Sequence, residues 1–145
     1  MKQLATLLMT TGLLATMIAC DSSNSMTTPD AAIEDPTGLW ALQSFQLADG
    51  SLVPVPDPAR YTLDLGATET GLAHIRADCN MCNGGYELSG STLVLGRMAC
   101  TLAACPPDSL DNDYLFALGS TSTFQRTGNA LTLNYDGGVM RFEAN

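Results

Sequence analysis

Residues Cys79-Asn80-Met81-Cys82-Asn83-Gly84-Gly85-Tyr86-Glu87-Leu88-Ser89-Gly90-Ser91-Thr92-Leu93-Val94-Leu95-Gly96-Arg97-Met98-Ala99-Cys100-Thr101-Leu102-Ala103-Ala104-Cys105 hold four of the chain's five cysteines. The pairs Cys79-x2-Cys82 and Cys100-x4-Cys105, with 17 residues between them, approach zinc-ribbon spacing. Between the pairs, Tyr86-Glu87-Leu88 and Thr92–Leu95 read as strands around Ser89-Gly90-Ser91, a hairpin turn. Zinc, thiol redox chemistry and a disulfide staple are the three readings of this window. The redox compartment decides among them.

That compartment is written at the N-terminus. Lys2 precedes an apolar run, Leu4–Ala19, which ends in Met17-Ile18-Ala19-Cys20. A charged start, an apolar centre and a small residue before the cut form an export signal. The run, roughly 16 residues with several Thr and Gly, falls short of the about 20 that a membrane span needs. A cysteine after the small residue resembles the bacterial lipobox, with Met17 where leucine is usual. The resemblance implies cleavage before Cys20 and a diacylglycerol on its thiol, so the chain is expected to be lipid-anchored in a bacterial cell envelope. Asp21 resembles the signal that retains enterobacterial lipoproteins at the inner membrane. Its meaning varies between bacterial groups, so the choice of membrane stays open.

Export favours disulfides over free thiols and zinc, because that space is oxidising. A thioredoxin-like Cys79-x2-Cys82 should open a helix. Here the pair leads into Asn83-Gly84-Gly85, which reads as a turn. The four cysteines are expected to form two disulfides, with Cys79 or Cys82 joined to Cys100 or Cys105. No metal and no cofactor is expected.

The formal charge is -9, and the only lysine, Lys2, leaves with the signal. Five arginines (60, 76, 97, 126 and 141) face 15 acidic residues, so the chain lacks the basic face that nucleic acid needs. Lysine nucleophiles and Schiff bases are excluded from the mature chain. His74 is the only histidine. On its strand it shares a face with Leu72, Arg76 and Asp78, the pattern of a surface residue. No Gly-x-Ser-x-Gly elbow and no glycine-rich phosphate loop after a strand is present. Asp111 and Asp113 suit the dipole of a helix N-terminus better than paired acid–base work. Catalysis has no evident home.

Residues 20–37 are polar and Ser/Thr-rich, and read as a tether of about 17 residues that holds a domain roughly 20–25 Å from the bilayer. The domain is expected over 38–145. Leu39–Leu47, Tyr61–Leu65, Leu72–Asp78, Thr121–Arg126, Leu131–Tyr135 and Val139–Glu143 read as further strands. Pro54, Pro56 and Pro58 make the segment between the first two a loop or sheet edge. One helix is expected after Pro106-Pro107, with Asp108 or Ser109 as N-cap, Leu110, Tyr114 and Leu118 as its apolar stripe, and Gly119 just past its end. The fold class is α+β, mostly antiparallel β, a curled sheet or partly open barrel with one packed helix.

The order of these features carries a family resemblance. Leu39-Trp40, Cys79-Asn80, Gly84-Gly85-Tyr86, Leu93–Gly96, Met98-Ala99-Cys100, the acidic helix Asp111–Leu118, Leu131-Thr132-Leu133 and Arg141-Phe142 together resemble the META domain, the HslJ-like family of small bacterial envelope proteins, over about residues 38–144. Cys82 and Cys105 are additional to the usual pattern. The resemblance implies pairs Cys79 with Cys100 and Cys82 with Cys105, an association with stress and antibiotic tolerance, and no established catalytic residues. The expected function is non-enzymatic: a binding or envelope stress-tolerance role toward an envelope protein or a small apolar ligand. Two alternatives stand beside it. One is an acidic inhibitor that presents Val53–Pro58 to a cationic hydrolase such as lysozyme. The other is a thiol oxidoreductase that uses Cys79 and Cys82.

Overall fold

The computed structural model describes residues 33–145. The apolar run, Cys20 and most of the expected tether lie outside the described residues. Nine strands and one helix follow in order: β1 (Gly38–Leu47), β2 (Leu52–Pro54), β3 (Tyr61–Leu65), β4 (Leu72–Ala77), β5 (Asn80–Ser89), β6 (Thr92–Cys100), α1 (Asp111–Gly119), β7 (Thr121–Thr127), β8 (Ala130–Tyr135) and β9 (Gly138–Ala144). All pairings are antiparallel, and β1 pairs with both β3 and β9, so eight strands close into a barrel. The remaining strand, β2, hangs on the second half of β1 (Phe45↔Val53), where proline-flanked backbone tolerates an edge. The fold class is as the alternation implied: α+β, mostly β, with one helix.

Period-2 alternation decides what fills the barrel. Tyr61, Leu63 and Leu65 on β3, Ala73, Ile75 and Ala77 on β4, and Leu131, Leu133, Met140 and Phe142 on β8 and β9 are all buried. Two bulges reset the alternation. On β1 the register shifts between Leu42 and Ser44, so Leu42 and Phe45, three apart, both face inward. On β6 the partners of Gly84 and Tyr86 are Met98 and Leu95, which leaves one extra residue there. Leu93 and Leu95 therefore point in before it, while Met98 and Cys100 pack against the core after it.

Closure across β1 and β9 runs from Trp40↔Ala144 to Leu47↔Gly138. At its far end Gly138 has φ 145, and a Cβ there would overlap the Gln46 carbonyl oxygen, so only glycine fits. By contrast β6 and β7 share a single register pair, Thr92↔Thr123. Helix α1 lies in this connection and lays Tyr114, Ala117 and Leu118 over that end of the barrel. Tyr114 meets Tyr61 edge-to-face at 5.9 Å and Phe142 at 6.3 Å.

Several expectations change. Asn83-Gly84-Gly85 is the interior of β5, because its backbone pairs with both β4 and β6. The helix starts at Asp111 with Leu110 as N-cap: the Leu110 carbonyl accepts the first helical bond, from the Tyr114 N–H at 2.9 Å, while its own N–H, which has no partner within the helix, donates to the Tyr61 hydroxyl at 2.9 Å. Gly119 is its last residue rather than the one beyond. Asp78 leaves the face it was expected to share with His74. Strand β4 ends at Ala77, and a left-handed φ of 57 turns the carboxylate inward.

The described end of the expected tether is docked rather than loose. Pro36 is buried and its carbonyl accepts the Trp40 indole N–H at 2.8 Å. Glu34 accepts the Gly128 N–H at 2.9 Å, and Arg126 donates to Asp35 and stands 5.1 Å over the Trp40 ring. The folded unit begins before Gly38.

Candidate functional site

Helix α1 has two flanks, and the candidate sites divide between them. On one flank the loop 101–110 climbs from β6 to the helix and is tied to β5. Cys82 bonds to Cys100 and Cys79 to Cys105. The cysteines do pair across the hairpin, but the pairing implied by the family resemblance, Cys79 with Cys100 and Cys82 with Cys105, is corrected. Antiparallel strands nest their partners, and the register sets Cys82 directly opposite Cys100. Cys79, one step outside Cys82, then meets Cys105, outside Cys100. With Cys79 and Cys82 each bonded elsewhere, they do not form the local dithiol couple that a thioredoxin-like site uses.

Beside the outer disulfide, Asn80 is buried and fully engaged. Its Oδ1 accepts from the Ala103 N–H at 2.8 Å and the Thr101 hydroxyl at 3.0 Å, while its Nδ2 donates to the Ala103 carbonyl at 3.2 Å and Asp111 at 3.4 Å. A polar residue at an inward position of β5, beside Cys82 and Tyr86 in the alternation, was the sequence signal for it.

A second polar cluster anchors the helix start. Buried Asp78 pairs with Arg60 and accepts from the Tyr61 hydroxyl at 3.4 Å. The Ser109 hydroxyl is the main cause that holds the Asp78 carboxyl below its usual range; burial opposes it, and Arg60 and Tyr61 add to it. The cluster joins β3, β4 and the approach to α1. Its cleft is a mere 60 Å³, which leaves little room for a substrate.

The other flank is apolar and open. A groove of about 370 Å³ runs between α1, the β1–β2 turn and the β8–β9 turn, lined by Phe45, Leu47, Val53, Leu110, Asp113, Phe116, Tyr135 and Gly137. Phe116 is 65% exposed and Leu47 40%. Burial, with a smaller contribution from the Asp113 carboxylate, raises the Tyr135 phenol above its ordinary value. None of the lining residues is basic. The groove draws residues from five elements and turns, so no local motif announced it.

His74 is exposed and its Nδ1 shares a hydrogen bond with Asn83 Oδ1 on the barrel wall. The structure brings it near neither flank of the helix. Asp108, Asp111 and Asp113 lie at the helix start, spread between the flanks. Val55 in the proline segment is buried, and its N–H bonds to the Gln43 carbonyl at 2.8 Å, so Val53–Pro58 is clamped to β1 in its middle. Among the described residues no helix is long and apolar enough to cross a membrane, and no group of three or more His, Cys, Asp or Glu is placed to hold a metal ion.

Comparison with known proteins agrees with this architecture. The family model for the META domain matches residues 32–145. A protein from Burkholderia xenovorans solved by NMR is similar at 27% identity and a TM-score of 0.61, covering 81% of this chain and 96% of its own. A crystal structure of a DUF4847 family protein from Bacteroides vulgatus matches at 16% identity and a TM-score of 0.54, over 75% of this chain and 93% of that one, a likeness of fold alone. No curated protein matches. The model's match starts at residue 32, just before the docked segment Glu34–Thr37, and runs through the closing strand β9. This chain belongs to the META domain family.

Proposed function

We propose that this protein is a non-enzymatic binding module of the bacterial cell envelope, lipid-anchored through Cys20, which uses the apolar groove beside α1. The observation that carries the binding reading is the groove itself. Phe116 and Leu47 stand in water beside a barrel whose interior is filled by fully buried side chains. Clustered exposed apolar side chains mark a binding surface more often than chance, and the groove's volume lies in the range of small-ligand sites. Strand β1 begins at Gly38 and ends at Leu47, and the groove lies at the Leu47 end of the barrel.

The inhibitor reading has less support, because Val53–Pro58 is clamped by Val55 rather than held out as a loop. The groove, not that loop, is the more open apolar surface on the same side.

The test separates anchor from groove. Full-length chain expressed in a bacterial host with an alkyne fatty acid should be labelled and partition into detergent, and Cys20→Ser should abolish both. The detergent-free Cys20→Ser protein should raise the fluorescence of a small apolar dye, and adding Phe116→Ser should reduce that rise severalfold. An unlabelled wild-type chain overturns the anchor; an unchanged response in Phe116→Ser overturns the groove.

A further inference from the structure

The groove's aromatic and acidic make-up narrows what it takes. Three aromatic rings, Phe45, Phe116 and Tyr135, line it together with one carboxylate, Asp113. Two further carboxylates stand on the turns that frame it. The Ala48 N–H bonds to the Gly137 carbonyl at 3.0 Å and so joins those turns, which carry exposed Asp49 and Asp136. The bonds that hold Asp49 are local, from the N–H and hydroxyl of Ser51 at 2.9 and 2.6 Å, and leave its charge in place.

Aromatic faces attract organic cations, and carboxylates at the rim of a low-dielectric groove add a Coulomb term of the same sign. An anion would meet the Asp113 carboxylate and no basic lining residue. A neutral apolar molecule would gain from the walls alone.

We propose that the groove binds a small amphiphilic organic ammonium ion, its apolar part against Phe45, Val53 and Phe116 and its charged head beside Asp113. The proposal rests on the groove being a binding site, and deepens that reading by naming the ligand's chemical class.

Three probes with the same eight-carbon chain test it: octyltrimethylammonium, octanol and octanesulfonate, each below its aggregation limit, titrated into the detergent-free soluble domain exported to a periplasm and followed by NMR. The expected order is cation tighter than alcohol, and alcohol tighter than sulfonate, with at least about tenfold between cation and sulfonate, or 1.4 kcal/mol. Asp113→Asn should bring the cation to within about threefold of the alcohol and leave the alcohol unchanged. Glu143→Gln, exposed on β9 at the other end of the barrel, removes the same net charge and should leave the order intact. Raising salt should weaken the cation alone. Equal binding of all three probes, or an identical effect of Glu143→Gln and Asp113→Asn, overturns the ammonium proposal and keeps the groove. Failure of all three to bind sinks the groove reading as well.

Discussion

The two flanks of α1 are held by opposite means. Toward β5 and β6 the approach to the helix is stapled by Cys79–Cys105, and every polar group of Asn80 has a partner. Toward the β1–β2 and β8–β9 turns the helix offers Phe116 to solvent over a groove that nothing fills among the described residues. One flank spends its chemistry on order, the other leaves apolar surface uncovered. The difference teaches where to look for function: a small domain that fixes one side of its helix so firmly can keep the other side open without the helix shifting to close it.

Removing the staple should break this comparison most strongly. The disulfides join residues 18 and 26 apart in sequence. Loops of that length give about 3 kcal/mol each in the chain-entropy model, so replacing all four cysteines by serine should cost about 6 kcal/mol. That is comparable to the whole stability of a domain this size, about 5–15 kcal/mol. Urea unfolding should show the quadruple variant's midpoint shifted far toward zero denaturant. Replacing only Cys79 and Cys105 should leave a folded protein whose loop 101–110 exchanges amides faster. A quadruple variant as stable as wild type would mean that the polar network alone fixes this flank.

The underside of the helix comes next. Leu118 is fully buried. Leu118→Ala should cost about 2–5 kcal/mol, the transfer of the lost methyls plus the cavity they leave. A much smaller loss would mean that α1 settles into the space, and the groove should then change volume with it. Dye binding before and after the substitution checks that.

Much of the barrel was legible in the residues, because a strand with one inward face writes its period directly: Tyr61, Leu63 and Leu65 need no tertiary context. What was not legible had non-local causes. Gly84-Gly85 carries turn chemistry, yet β4 and β6 pair on both sides of it and hold it extended. Asp78 followed the alternation of β4 on paper, but one left-handed residue turned it from the wet face to the core. The nesting of the cysteines was available once Ser89-Gly90-Ser91 was read as the tip of a hairpin. The family pattern pointed to the other pairing because it has no place for Cys82 and Cys105. The groove needed the closed barrel, since Phe45, Val53, Phe116 and Tyr135 meet only after β1 has paired with β9.

The Asp78 cluster tests how the helix start is fixed. Asparagine tolerates the left-handed backbone at this position, so Asp78→Asn removes charge with little strain. It should cost about 1–3 kcal/mol at neutral pH, through the buried hydrogen bonds it weakens and the Arg60 partner it strands. The sign of the pH effect follows from the depressed carboxyl. A carboxylate that binds its proton less readily when folded adds stability above the unfolded value of about 3.9, and that contribution fades as pH falls through its lower native value. Wild type should therefore lose its advantage over Asp78→Asn in the acid range below about 4. Paired denaturation curves at neutral and acid pH measure it. A gap between the two proteins that stays constant into acid would assign the cost to packing instead of charge.

The smallest effect on stability should be the most informative about function. Phe116 sits two residues from Leu118 on the same helix, yet it is 65% exposed where Leu118 is 0%. A side chain kept mainly by packing would lose stability when removed; Phe116→Ser should change stability by no more than about 0.5 kcal/mol, as for other exposed positions. Serine and phenylalanine have similar helix propensity, and the phenyl ring loses only its partial burial, so both contributions stay small. If the same substitution abolishes dye binding while the urea midpoint holds, Phe116 is kept in water for what it contacts and not for what it stabilises. If instead stability falls by 2 kcal/mol or more, a value expected only for buried aromatic rings, the ring is closing the barrel end. The two flanks of α1 would then differ in degree, and the groove would be part of the fold's seal instead of a site.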